Sequence, residues 1–266
     1  MRRVLEPRAL YPLAEHARAA EAVTDFYRSD PDVCAVILMG SCARGRADRT
    51  SCVDILVLLE PETLDHRRGA LEAAWEEFNA RHPALIALRK IARFTHVDLD
   101  FIDGDFRPTP RGWTDGPDAF ELEIGNTLAY TVPLHTRGDY FAGLKARWLP
   151  YYDDALRAER LAAARMFCLN NLYHIPDFAG RGLYFQAFKR LYDASREFLQ
   201  ALFIAKRTYP IAYDKWVREE VGEILGLPEL YARLPGLLEI CPFESRLTAV
   251  KAAELEALLE QYAPAE

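Results

Sequence analysis

No stretch of this chain approaches the ~20 apolar residues that a membrane-spanning helix requires. The start, Met1-Arg2-Arg3, is basic, but no apolar core follows it, so no signal peptide is expected. Cysteine is sparse and unpatterned. The five at positions 34, 42, 52, 168 and 241 are odd in number and lack CxxC spacing, which excludes a disulfide framework and argues against a structural zinc site. A reducing cytoplasm suits such a chain. A basic excess is also missing: 33 Lys and Arg stand against 40 Asp and Glu, for a net charge of -7. That balance argues against a non-specific nucleic-acid binder but permits a local basic patch around a triphosphate. Internal repeats and low-complexity segments are absent too. What remains is ordinary for a soluble globular protein. Of 266 residues, 50% are apolar and 27% charged, enough for one large domain or two small ones.

The most informative stretch covers residues 40–59, Gly-Ser-Cys-Ala-Arg-Gly-Arg-Ala-Asp-Arg-Thr-Ser-Cys-Val-Asp-Ile-Leu-Val-Leu-Leu. An apolar, β-rich run over 33–39 leads into it and reads as a buried strand. Gly40-Ser41 turns the chain, a short Ala/Arg segment follows, and Gly45 ends it. Residues 52–59 form a second apolar run that carries one acid, Asp54. The turn frees backbone N–H groups at a helix start, where phosphate is favoured. On the second strand Cys52 and Asp54 share one face. An acid inside Val-Asp-Ile-Leu-Val is costly to bury without a partner, which points to metal binding.

Taken in order, residues 13–27 have helical spacing, as do 63–81, which Pro83 is expected to stop. Residues 85–94 read as a strand of mixed character. Residues 96–103 are a clear strand, with Val97, Leu99 and Phe101 alternating with Asp98 and Asp100. Gly and Pro make 104–117 a loop; 127–134 reads as a strand and 140–148 as a helix. From about residue 150 the pattern is helical: 156–173, 184–206, 213–225, 230–238 and 246–262. In the last, Leu247, Val250, Leu255, Leu258, Leu259 and Tyr262 form a stripe. An α/β domain over 1–150 followed by an all-α bundle over 151–266 is therefore expected.

The 40–59 stretch resembles the nucleotidyltransferase superfamily, the polymerase-beta-like fold, and in its layout the aminoglycoside-type members with a C-terminal helical domain. Gly40, Ser41, Gly45, Ser51 and Asp54 fall in register with that family's Gly-Ser, loop glycine and Ser-Asp-x-Asp pattern. One position departs: the first Asp of the pair is Cys52, and a thiol is a poor, soft ligand for Mg²⁺. The resemblance implies transfer of a nucleoside monophosphate from an NTP, with ATP the first choice, to a hydroxyl of a small-molecule acceptor, aminoglycoside-like compounds among them. It implies nucleotide binding by Gly40, Ser41, Arg44 and Ser51, and a two-ion Mg²⁺ site on Asp54, Asp98 and Asp100. Asp98 or Asp100 would also act as general base, Asp98 first because the apolar-acid-apolar run aligns best there. Asp48 is a substitute ligand for the missing acid. A thiolate–zinc site is not expected, because no His or second Cys stands at matching spacing in the sequence.

The helical half carries Arg181, Lys189, Arg190, Lys206, Arg207 and Lys215, and its Tyr209-Pro210…Lys215-Trp216 segment looks like one found in relatives of the aminoglycoside enzymes. Lys215 is the phosphate-contact candidate there and Tyr209 a base-flanking one, against the alternative that the aromatics are core. Acidic residues over 104–123 offer an attraction for a cationic acceptor. Cys52 sustains a competing reading, a catalytically degenerate protein that binds a nucleotide or a partner protein.

Overall fold

A computed structural model describes residues 7–265. The chain divides into two compact units. One holds 7–106 and Ile124–Pro150, the other Arg107–Glu123 and residues from Tyr151 on. The segment 107–123, expected with the first half, groups with the helical unit because its acids pair there. Arg160 Nε donates to Glu121 Oε1 at 2.9 Å, Arg160 Nη1 to Asp118 Oδ2 at 2.6 Å, and the Tyr152 hydroxyl to Glu121 Oε1 at 2.9 Å.

The first unit runs α1 (Ala14–Arg28), β1 (Ala35–Met39), α2 (Gly40–Arg44), β2 (Val53–Leu58), α3 (Pro61–Arg81), α4 (Pro83–Arg89) and β3 (Val97–Ile102). The excursion into the other unit ends with α5 (Phe120–Ile124), and the chain returns for a π-helical segment (Gly125–Ala129), β4 (Val132–Thr136) and α6 (Tyr140–Trp148). The sheet order is β3-β2-β1-β4, with β1 antiparallel to both neighbours and β2 parallel to β3. Alternation decides the faces. Val36, Leu38, Val53, Ile55, Val57, Val97 and Phe101 join Ala19, Val23, Leu64 and Leu88 from the helices in one core. Cys52, Asp54, Asp98 and Asp100 alternate with these strand residues and so lie on the opposite face.

Two expectations fail here. Residues 85–94 are not a strand: Pro83, which ends α3, also opens α4, since a proline lacks only an N–H that the first turn leaves unpaired anyway. The strand expected over 127–134 is displaced to Val132–Thr136, and its Pro133 is tolerated because β4 is a sheet edge.

The second unit contains α7 (Asp154–Gly180), α8 (Tyr184–Ala205), a π-helical segment (Arg218–Ile224), α9 (Pro228–Leu237) and α10 (Leu247–Tyr262). Asp153 caps α7 by accepting from Leu156 N at 2.9 Å. That helix continues past Tyr173 through Pro176. The residues 181–183 connect α7 to α8, and the two helices pack along their length with α10 against both. Leu255, Leu258 and Leu259 of α10 are buried as the stripe requires, whereas Val250 is 53% exposed and stands off it.

Candidate nucleotide and metal site

The site begins with a close approach. Met39, the last residue of β1, pairs with Asp54 on β2. Gly40 follows with φ +68°, and a Cβ placed on it would overlap the Asp54 carboxylate. Both facts demand glycine: the left-handed conformation and the missing side chain. Ser41, partly exposed, is the second residue of α2, and Gly45 ends that helix at φ +68° with its N–H on Ser41 O. Cys42 behind it is fully buried; burial, then the Asp54 carboxylate, push its thiol up to about 12, so it stays protonated. Arg44 is buried at the end of α2.

The parallel pairing of β2 with β3 sets Asp54 directly beside Asp98 and Leu56 beside Asp100. Adjacent strands lie ~4.8 Å apart, so two hard carboxylates share one rung, with Asp98 exposed and Asp54 half-buried. Asp100 is two rungs on, about 6.6 Å further along the strand.

Other candidates take different places. Asp48 Oδ1 accepts from both the N–H and the hydroxyl of Thr50 at 2.7 Å. The Thr50 hydroxyl bond, more than any other contact, holds the Asp48 carboxyl below its usual range. Asp48 thus organises its own turn. Ser51 belongs to the same turn, its Oγ accepting from Asp48 N at 2.9 Å, while buried His16 is 3.1 Å from Ser51 O. Lys215 is in the other unit, its Nζ 5.3 Å from the Trp216 ring. Tyr209 and Tyr213 are buried there, Tyr209 4.8 Å from Tyr151, which is core packing. Of the basic residues proposed for that half, Arg190 donates to Asn171, Lys189 pairs with Asp193, and Arg207 pairs with Asp154. Asp118 and Glu121, expected to attract a cation, are both paired with Arg160 in the interior.

Sequence spacing also missed His96. Cys52 Sγ donates to Phe94 O at 3.0 Å and is 4.0 Å from His96 Nδ1, across 44 residues of sequence. The signal was present as a repeat: Cys52-x-Asp54 on one strand and His96-x-Asp98 on the next. Only the parallel register lays one over the other.

Residues 19–104 match the family of nucleotidyltransferase domains. That domain spans most of α1 through β3 and so contains Gly40, Ser41, Asp54, Asp98 and Asp100. The mixed sheet with its helices is that fold, followed by a helical region. The crystal structure of a nucleotidyltransferase-like protein from Exiguobacterium sibiricum is also similar, at 14% identity over 94% of this chain and 78% of the other, with a TM-score of 0.44. No curated protein matches the chain. No helix among the described residues is long and apolar enough to cross a membrane.

Domains of this family typically use divalent metals, and the donors on this face can be weighed against that need. Mg²⁺ takes one or two protein carboxylates and completes its octahedron with water and phosphate oxygens. Asp54 and Asp98 meet that requirement for one ion. Among the described residues no set of three His, Cys, Asp or Glu side chains is placed to hold an ion, so the two-ion set implied by the resemblance is not assembled. At the position of the first aspartate, the Cys52 thiol is spent on a backbone carbonyl.

Proposed function

We propose that this chain transfers a nucleoside monophosphate from an NTP, ATP being the first to test, to a hydroxyl of a small-molecule acceptor. The observation that carries the reading is the Asp54–Asp98 rung with Gly40 pressed against Asp54. Ser41 and the amides that follow it would receive the β- and γ-phosphates, with Arg44 adding positive charge. Ser51 serves this site by fixing the turn before β2. Asp54 and Asp98 would hold Mg²⁺, which supplies charge neutralisation across the attacked phosphate and the leaving pyrophosphate. Asp98, the more exposed of the two, would take the proton of the acceptor hydroxyl as its oxygen bonds to the α-phosphorus and the bond to the β-phosphate bridge breaks. Asp100, beside Leu56, is the alternative base.

The test is pyrophosphate release from ATP and other NTPs with a panel of hydroxyl acceptors. Asp54→Asn and Asp98→Asn are each expected to lose about 10²-fold or more. Release by both variants at the wild-type rate would sink the assignment.

Cys52 supports a second reading, a nucleotide binder without turnover, because its thiol offers no hard oxygen on the site. Calorimetric titration of ATP with and without Mg²⁺ separates the two. Binding that needs Mg²⁺ in the wild type favours the enzyme; binding that ignores Mg²⁺ until Cys52→Asp is introduced favours the binder.

A further inference from the structure

Two rungs before the carboxylates, three donor atoms converge. Cys52 Sγ is 3.0 Å from the Phe94 carbonyl oxygen, His96 Nδ1 is 2.9 Å from the same oxygen, and Sγ and Nδ1 are 4.0 Å apart. Taken pairwise, two of these are ordinary hydrogen bonds to one carbonyl. Together they have nearly the separations of ligands on one ion. With Zn–S of ~2.3 Å and Zn–N or Zn–O of ~2.0–2.2 Å, tetrahedral neighbours stand roughly 3.3–3.6 Å apart, so an ion would be seated once the two contacts to the carbonyl open, and the Sγ–Nδ1 gap closes, by about half an ångström each. The donor chemistry is selective: thiolate and imidazole suit Zn²⁺ and Co²⁺, not Mg²⁺. His96 is exposed and Cys52 half-buried, which gives the ion a path from solvent.

We propose that Cys52, His96 and the Phe94 carbonyl bind a divalent cation of the Zn²⁺ or Co²⁺ class, with water in the remaining position. The site is distinct from the Asp54–Asp98 pair and stands whether or not the chain transfers nucleotides. On loading, the Cys52 S–H bond breaks and its proton passes to water, and the imidazole proton moves from Nδ1 to Nε2. No electron is transferred.

The experiment is titration of the full reduced chain with Co²⁺, read by the thiolate-to-cobalt charge-transfer absorption and the visible bands of tetrahedral cobalt. Wild type is expected to give one saturable band per chain, displaced by Zn²⁺ and not by Mg²⁺. Cys52→Ser should abolish the charge-transfer band, and His96→Ala should weaken binding by roughly tenfold or more, since loss even of an outer-shell partner costs about that much. Absence of the band in wild type would overturn the proposal. So would an unchanged band in Cys52→Ser, which would assign it to another cysteine, Cys241 being the exposed one. Asp54→Asn should leave the band in place. Loss of pyrophosphate release with an intact cobalt titration would therefore count against the nucleotidyl-transfer reading and not against this one.

Discussion

Gly40 ties two demands to one atom that is not there. A left-handed φ costs a non-glycine residue about 1–3 kcal/mol, and any side chain would in addition push Asp54 off its rung. Gly40→Ala is therefore expected to destabilise the protein by at least about 1 kcal/mol in urea unfolding, and to weaken ATP binding beyond what that loss explains. Glu197 illustrates the opposite case, a charge where none is comfortable. It is 1% exposed, and burial outweighs the attraction of Arg111, 2.9 Å away, pushing its carboxyl up to about 7. A carboxyl whose folded value lies above its unfolded one binds protons more tightly when folded. Its contribution to stability is thus full at pH 4 and lost as the pH rises through 7. Relative to Glu197→Gln, wild type is expected to lose stability between about pH 4.5 and 7 and to change little above that; parallel pH curves for the two proteins would refute this.

At the scale of elements, the segment 107–123 is held to α7 and α8 by a buried polar network. Arg160 reaches Asp118 and Glu121, and Gln200 Nε2 donates to both at 3.0 Å. A buried ion set contributes little net stability, but removing one member strands the others. Arg160→Met leaves two carboxylates without their cation and is expected to cost about 3–5 kcal/mol in chemical denaturation. The triple change that also makes Asp118→Asn and Glu121→Gln should recover part of that loss, which a purely steric role for Arg160 would not allow.

For the whole molecule, a ligand that binds the folded state shifts unfolding by mass action. ATP with Mg²⁺ at 100 times its Kd would contribute about 2.7 kcal/mol, a rise in Tm of roughly 5–11 °C for a domain of 150–250 residues. The shift should appear in wild type and vanish in Asp54→Asn. An equal shift in both proteins would place the nucleotide elsewhere.

How much of this was legible before folding follows from what each feature depends on. The turn at Gly40-Ser41, the acid inside the β2 run and the alternation of Asp98 and Asp100 with apolar neighbours are local patterns. Periodicity and glycine chemistry act over a few residues, so the sequence alone determined the two strands, the α/β-then-α layout and the acids proposed for the site. Other features hang on partners far away in the chain. Whether residues 83–89 coil or extend was decided by packing, since Leu85 and Leu88 bury against the same core as α1 and the sheet. The acids of 104–123 looked like a solvent-facing charge until Arg160, about forty residues on, turned Asp118 and Glu121 inward. Register made the last decision. Only the parallel ladder of β2 on β3 selects Asp98 over Asp100 as the neighbour of Asp54, and only it carries His96 to Cys52. A ladder of hydrogen bonds between main chains has no signature in either strand alone, which is why tertiary structure had to supply it.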